Sequence, residues 1–226
     1  MAEARHLRHS APARYLVAVT AFTPLPLGRI RDPFDDRGTL YELKLDGFRA
    51  LAFVDRGRSQ LVSRNGNRFR RFDALAATLA RSVRATSAVL DGEVVCLDDD
   101  GRPDFRALLF HRAEPYFVAF DLLALDGEDL RDQPLLERKR ELRRLLGQRR
   151  GGVRYLSHVM GRGVELFAAV CERDLEGIVA KPATSPYRLV GERSPWLKIK
   201  NRNYSHARDR WELFEGSVRG RRVVNR

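Results

Sequence analysis

Lysine is scarce in this chain. Its 226 residues include 42 lysines and arginines, but only Lys44, Lys139, Lys181, Lys198 and Lys200 are lysine. Guanidinium stays protonated, whereas a lysine amine can lose its proton and act as a nucleophile. A protein that uses arginine wherever a cation suffices therefore marks its lysines for amine chemistry. Lys139 falls in a charged, helix-like segment and reads as ordinary; the other four fall in three short strand-like runs. Cysteine is scarcer still. Cys96 and Cys171 lack the spacing of a metal or redox pair, which points to a reducing compartment and two buried free thiols. The five histidines are dispersed, so neither a zinc site nor a Ser-His-Asp order emerges. No G-x-x-x-x-G-K-[ST] loop occurs, and Gly161-Arg162-Gly163 lacks the third glycine of a dinucleotide loop. No apolar run approaches the roughly eighteen residues of a membrane span. The basic N-terminus, with Arg5, Arg8 and Arg14, has no apolar secretory core. A cytoplasmic protein with no membrane partner is expected.

What is present is positive charge. The net charge is +12, on a chain whose hydrophobic content of 43% suits a globular fold. Such a surplus suggests a polyanionic partner. The length fits one generous domain with arms. Pro24, Pro26, Pro33, Gly28 and Gly38 mark an irregular lead-in. Residues 39–54 read as strand interrupted at Asp46-Gly47, and residues 59–63 as a strand before a turn at Asn65-Gly66. Phe72, Leu75, Leu79 and Val83 have helical spacing. Residues 88–97 and 117–125 are apolar strands, and Asp98-Asp99-Asp100-Gly101 reads as a hairpin turn rather than a metal site. Pro134 and Gly147 bracket a helix with Leu135, Leu142, Leu145 and Leu146 as its buried stripe. Val164, Phe167 and Val170 or Cys171 mark another. Residues 178–180 and 196–199 are short strands. The mixed order predicts α+β with mostly antiparallel sheets.

Four segments carry chemistry. In Glu42-Leu43-Lys44-Leu45-Asp46-Gly47, strand alternation would place Glu42, Lys44 and Asp46 on one face. Leu90-Asp91-Gly92-Glu93 sets two carboxylates beside a glycine. Glu176-Gly177-Ile178-Val179-Ala180-Lys181 sets a carboxylate and a glycine before an apolar strand. Lys198-Ile199-Lys200 puts two ammonium groups on one face, which calls for an anion or open solvent. Singly, each reads as a solvated strand face; the four together are specific.

Together they resemble the covalent nucleotidyltransferase superfamily of ATP-dependent DNA ligases, RNA ligases and capping enzymes. Lys44-Leu45-Asp46-Gly47-Phe48-Arg49 looks like its K-x-D-G-x-R signature, and Ser63-Arg64-Asn65-Gly66 like the R-x-G element that follows. Asp91-Gly92-Glu93, Phe120-Asp121-Leu122-Leu123, Glu176 to Lys181 and Lys198-Ile199-Lys200 resemble the later motifs. The likeness spans residues 39–200 and is strongest to the adenylation domain of bacterial end-joining ligases. It implies the nucleotidyltransferase fold, ATP-grasp-like, with an arm and lead-in over 1–38 and a basic tail over 201–226.

The resemblance assigns roles. Lys44 would attack the α-phosphate of ATP to give lysyl-AMP. An unperturbed lysine, with a pKa of about 10.4, offers roughly one free amine in a thousand at neutral pH, so the site must help it. Glu42 would accept a hydrogen bond from the adenine amino group, favouring ATP over GTP, and Phe120 would stack on the base. Asp46, Arg49, Arg64, Lys181, Lys198 and Lys200 would contact the nucleotide, with Arg64 and Arg49 alternatively on the 5′-phosphate of the nick. Glu93 and Glu176 would hold Mg²⁺ or Mn²⁺, with Glu93 alternatively on the ribose. Strand parity separates Glu176 from Lys181, so the strand is expected to begin after Gly177.

The implied activity is sealing of nicked DNA in repair or end joining, by a monomer that meets DNA phosphates through scattered arginines and works with end-joining partners. Only 26 residues follow Lys200, too few for the OB-fold domain that usually comes next. A minimal ligase, a module completed by a partner, and an enzyme that seals DNA already adenylylated all stay open. So does an RNA ligase. A non-catalytic nucleic-acid-binding relative is disfavoured by the intact lysine and carboxylate set, and a capping guanylyltransferase by Glu42.

Overall fold

Two sheets share one interior. The computed structural model describes residues 22–147 and 151–206; the basic arm and the arginine-rich tail lie outside the described residues. The first sheet runs β1 (Gly28–Ile30), β11 (Leu197–Lys200), β10 (Gly177–Pro182), β2 (Thr39–Leu43), β9 (His158–Met160). The second runs β4 (Arg58–Ser63), β3 (Phe48–Asp55), β5 (Ser87–Val95), β6 (Tyr116–Leu125), β7 (Glu128–Asp129), with β8 (Val153–Tyr155) against β6. Pairing is antiparallel except β1 with β11 and β6 with β8. The helices are α1 (Asp73–Ser82), α2 (Phe105–Leu109), α3 (Leu135–Leu146) and α4 (Gly163–Glu172). This is the α+β architecture expected.

Burial follows strand alternation. Along β2, Leu40 joins Val179, Leu51, Leu123 and Trp196 in the core between the sheets, while Tyr41 joins Ile178, Ala180 and Val170 under α4. Glu42 and Lys181, two residues from Leu40 and Val179 respectively, therefore point between the sheets. The other face of the second sheet packs on α1 and α3 through Leu79, Leu90, Phe117, Leu122 and Leu142.

Two motif glycines answer to close backbone approach. A Cβ on Gly47 would lie 2.2 Å from the Val94 carbonyl oxygen. One on Gly177, at φ 147°, would lie 2.1 Å from that of Ile199. The β2–β3 turn can therefore cross β5, and β10 can start beside the end of β11.

Several expectations change. The lead-in contains β1, an edge strand recruited by pairing Gly28 with Leu197, a distant partner that local composition does not reveal. Cys96 is buried, but Cys171 is exposed. In α4 the buried contacts come from Leu166, Phe167 and Val170, leaving Val164 at 46% exposure. The 98–101 segment is the expected turn: the Gly101 amide donates to the Asp98 carbonyl at 2.9 Å.

Helix α3 holds the largest correction. Its buried stripe includes Leu135, Leu142 and Leu145 as expected, and also Arg138 and Lys139. Arg138 Nε and Nη2 donate to the two carboxylate oxygens of Asp121 at 2.9 and 2.8 Å, and Nη1 donates to the Ser185 carbonyl at 3.0 Å. Both side chains are fully buried. Removing one member strands the other charge, so Arg138→Met is expected to cost about 3–5 kcal/mol in denaturant unfolding. Adding Asp121→Leu should recover part of that loss. A loss under about 1 kcal/mol for the single variant would contradict the pinning of α3 by this pair.

Candidate active site

The register of β2 on β10 sets the site. Leu43 lies opposite Ile178 and Glu42 opposite Val179, which sends Glu42 and Lys181 into one interior space. Lys181 Nζ stands 2.6 Å from Glu42 Oε2, and Lys139 Nζ pairs with Oε1. Lys139 also donates to the Leu156 carbonyl at 3.1 Å. Burial opposes ionisation of Glu42, yet the two ammonium groups outweigh it and hold its pKa below the usual range. Burial likewise pushes Lys181 down, against the pull of Glu42. Its ammonium lies over the rings of Trp196 and Phe120, 4.0 and 4.2 Å from their centroids. Lys139 is thus no ordinary surface cation. Its place three and four residues from Leu142 and Leu135 put it on the apolar stripe, a signal that was available in the sequence.

Lys44 sits just past the end of β2, its amide donating to the Gly177 carbonyl at 2.8 Å. Its Nζ is 2.6 Å from Glu176 Oε2, and Glu176 Oε1 takes Lys200 Nζ at 3.1 Å. Glu176 precedes β10, which begins at Gly177, one residue earlier than expected. The parity problem disappears because the two ends of the strand serve different partners: Glu176 serves Lys44, and Lys181 serves Glu42. Lys198 has its pKa lowered by burial and then by Lys200, Lys44 and Arg29 crowding it.

The second sheet supplies the facing wall. Arg49 and Glu93 are paired in register across β3 and β5. Arg49 donates to both oxygens of Asp91 at 3.1 and 2.7 Å and to the Leu25 carbonyl at 2.6 Å. The Tyr187 hydroxyl donates to Asp91 at 2.7 Å. Burial works against the charge on Arg49, but Asp91 overrides it and raises its pKa. The Glu93 carboxyl forms no hydrogen bond or ion pair with the described residues. Burial pushes its pKa up to about 8, against Lys44 and Arg49 and with the help of Glu176 and Asp91.

These walls enclose an open cleft with about 430 Å³ of atom-free space. Glu42, Lys44, Arg49, Glu93, Phe120 and Lys181 line it, and Leu27, Leu45, Leu156, Val179 and Trp196 supply apolar surface. Six predicted site residues meet there. Lys198 and Lys200 flank Lys44 from β11 instead of lining the cleft. Asp46 turns away: the strand ends at Leu43, so alternation no longer applies, and Asp46 lines a neighbouring cleft with Glu176, where the Tyr204 hydroxyl donates to it at 3.2 Å. Arg64 lies on the exposed turn after β4 and does not reach the cleft.

No group of three or more His, Cys, Asp or Glu side chains among the described residues could hold a metal unaided. Magnesium commonly takes only one or two carboxylates and completes its shell with substrate phosphate and water. Glu93, half-buried and with no side-chain ion pair among the described residues, and Glu176 beside it fit that pattern.

The chain matches the family model for the ATP-dependent DNA ligase domain over residues 27–200. It is 39% identical over 167 residues to the multifunctional non-homologous end joining protein LigD of Pseudomonas aeruginosa, covering 71% of this chain and 20% of that one. It is 31% identical over 189 residues to the SPbeta prophage-derived DNA ligase-like protein LigB of Bacillus subtilis, covering 81% and 68%. A solved mycobacterial DNA ligase D complexed with ATP and MES superposes with a TM-score of 0.68 at 30% identity, covering 80% of this chain and 60% of that one. The chain thus spans about a fifth of the LigD relative.

The carboxyl of Glu93 makes stability depend on pH. In the unfolded chain it ionises near 4.5; in the folded, metal-free protein it keeps its proton to about 8. Its contribution is therefore full below 4.5 and lost as pH rises toward 8. With a chelator present, the melting temperature of wild type relative to Glu93→Gln should fall between pH 5 and pH 8. A pH-independent difference would contradict the raised pKa.

Proposed function

Because this chain belongs to the ATP-dependent DNA ligase domain family, we propose that it activates and seals nicked DNA through a covalent AMP on Lys44. The observation that carries this reading is the Lys44–Glu176–Lys200 bridge at the mouth of a cleft that contains Glu42 and Phe120.

Adenine enters between the apolar walls, stacked on Phe120. Glu42 spends one lone pair of each oxygen on a lysine and keeps others for the exocyclic amine, which favours adenine over guanine. Lys139 and Lys181 hold that carboxylate ionised and in place. The Lys44 amine, once deprotonated, attacks the α-phosphorus. A nitrogen–phosphorus bond forms, the bond to the oxygen bridging to the β-phosphate breaks, and pyrophosphate leaves with its electron pair. The remaining surplus amine proton passes to solvent. Lys198, Lys200 and Arg49 supply positive charge where negative charge grows. Glu93 and Glu176 would hold a divalent cation, which supplies further charge neutralisation at the phosphates. Lysyl-AMP then passes AMP to the 5′-phosphate of a nick, and attack by the 3′-hydroxyl expels AMP and closes the strand. The arginine surplus suits sequence-blind contact with duplex phosphates. The kinship with LigD supports end joining as the setting, with the chain acting as a monomer beside end-joining partners.

Sealing separates the steps. With ATP and Mg²⁺, wild type should close a 5′-phosphorylated nick and Lys44→Ala should not. Lys44→Ala should still close a nick that already carries AMP. Failure of wild type on both substrates, or ATP-dependent sealing by Lys44→Ala, would overturn the proposal.

A further inference from the structure

Beside the nucleotide cleft lies a groove whose cations outnumber its anions. Strand β1 pairs in parallel with β11, and Arg29 stands opposite Lys198. Like charges opposite one another on a sheet cost stability unless an anion neutralises them. Neither Arg29 nor Lys198 forms an ion pair with the described residues. One turn of the alternation further on, Arg31 follows β1 on the side of Lys200. Arg202 closes the group, and Arg29, Arg31, Lys200 and Arg202 line a single open groove of about 860 Å³. The acidic counterweight within it is slight: Asp32, itself 80% exposed, lies 4.0 Å from Arg31 and 3.7 Å from Arg202. The groove adjoins the reacting centre: Lys200 lines it, and Lys200 and Lys44 share the two oxygens of Glu176.

We propose that Arg29, Arg31 and Arg202, with Lys198 and Lys200, form the subsite for the pyrophosphate end of the nucleotide. The assignment rests on Lys44 being the nucleophile. An α-phosphate at Lys44 sends its β- and γ-phosphates past Lys200 into this groove. As the bond between the α-phosphorus and the bridging oxygen breaks, charge builds on the departing pyrophosphate, where these cations stand ready. A compact anion with several charges matches five cations gathered at one spot. A duplex backbone, with one charge per phosphate along a line, matches them less well.

The test uses inorganic pyrophosphate and the full-length, nucleotide-free protein in a titration calorimeter. The triple variant Arg29→Ala, Arg31→Ala, Arg202→Ala should bind pyrophosphate at least about tenfold more weakly, as expected when charge-assisted contacts are removed. All three side chains are exposed, so its melting temperature should match wild type. Its affinity for nicked duplex at fixed salt should stay within about twofold, a difference worth only tenths of a kcal/mol. Pyrophosphate-driven release of AMP from lysyl-AMP should slow in parallel. Unchanged pyrophosphate affinity in the triple variant would overturn the subsite. So would a loss confined to duplex binding, which would assign the groove to the DNA backbone. If wild type never acquires AMP yet binds pyrophosphate through these arginines, the ligase reading fails while the groove stands as a pyrophosphate-binding site.

Discussion

The pairing of β2 with β10 is the constraint on which the site depends. It carries Glu42 and Lys44 on one strand and its extension, and Glu176 and Lys181 at the two ends of the other. From that register come two bridges of the same design, each a buried carboxylate shared between two lysines. Glu42 joins Lys139 and Lys181; Glu176 joins Lys44 and Lys200. Taking a carboxylate out of water is costly, and one cation repays it only with good geometry. Two cations on separate oxygens repay it more fully and leave the group net positive, which suits an anionic ligand.

The bridges differ in exposure, and that difference divides their work. Glu42, Lys139 and Lys181 are sealed from solvent, each at 3% side-chain exposure or less. They would form the recognition floor of the proposed adenine site. At the second bridge Lys44 is 16% and Lys200 45% exposed, open toward the phosphate groove. In the proposed reaction an incoming phosphate would compete here for the amines and let Lys44 leave Glu176 and react. Behind both, the Arg49–Asp91–Tyr187 cluster fixes the opposite wall and the Arg138–Asp121 pair fixes α3, which delivers Lys139.

Much of this was legible from residue type and spacing. Lysine scarcity singled out Lys44, Lys181, Lys198 and Lys200, and period-two alternation located most strands. What escaped notice depended on distant contacts or on a misapplied period. Strand β1 exists because β11 is there to pair with it. Asp46 left the predicted face because β2 stops at Leu43 and the chain turns. Arg64 belongs to a signature in sequence yet lies on a turn outside the cleft. The charged neighbours of Lys139 suggest an ordinary surface cation, although helical spacing from Leu135 and Leu142 puts it on the buried side. In a helix, periodicity outweighs local polarity when a buried carboxylate awaits the cation.

The central claim is that one of five lysines, Lys44, becomes covalently bound to AMP. The most direct measurement incubates the protein with Mg²⁺ and ATP labelled at the α-phosphate, then maps the alkali-stable, acid-labile label by peptide mass analysis. The expected result is a phosphoramidate on Lys44, absent from Lys44→Arg, which keeps the charge but has no usable nucleophile. A label on any other lysine, or an undiminished label in that variant, would contradict the account.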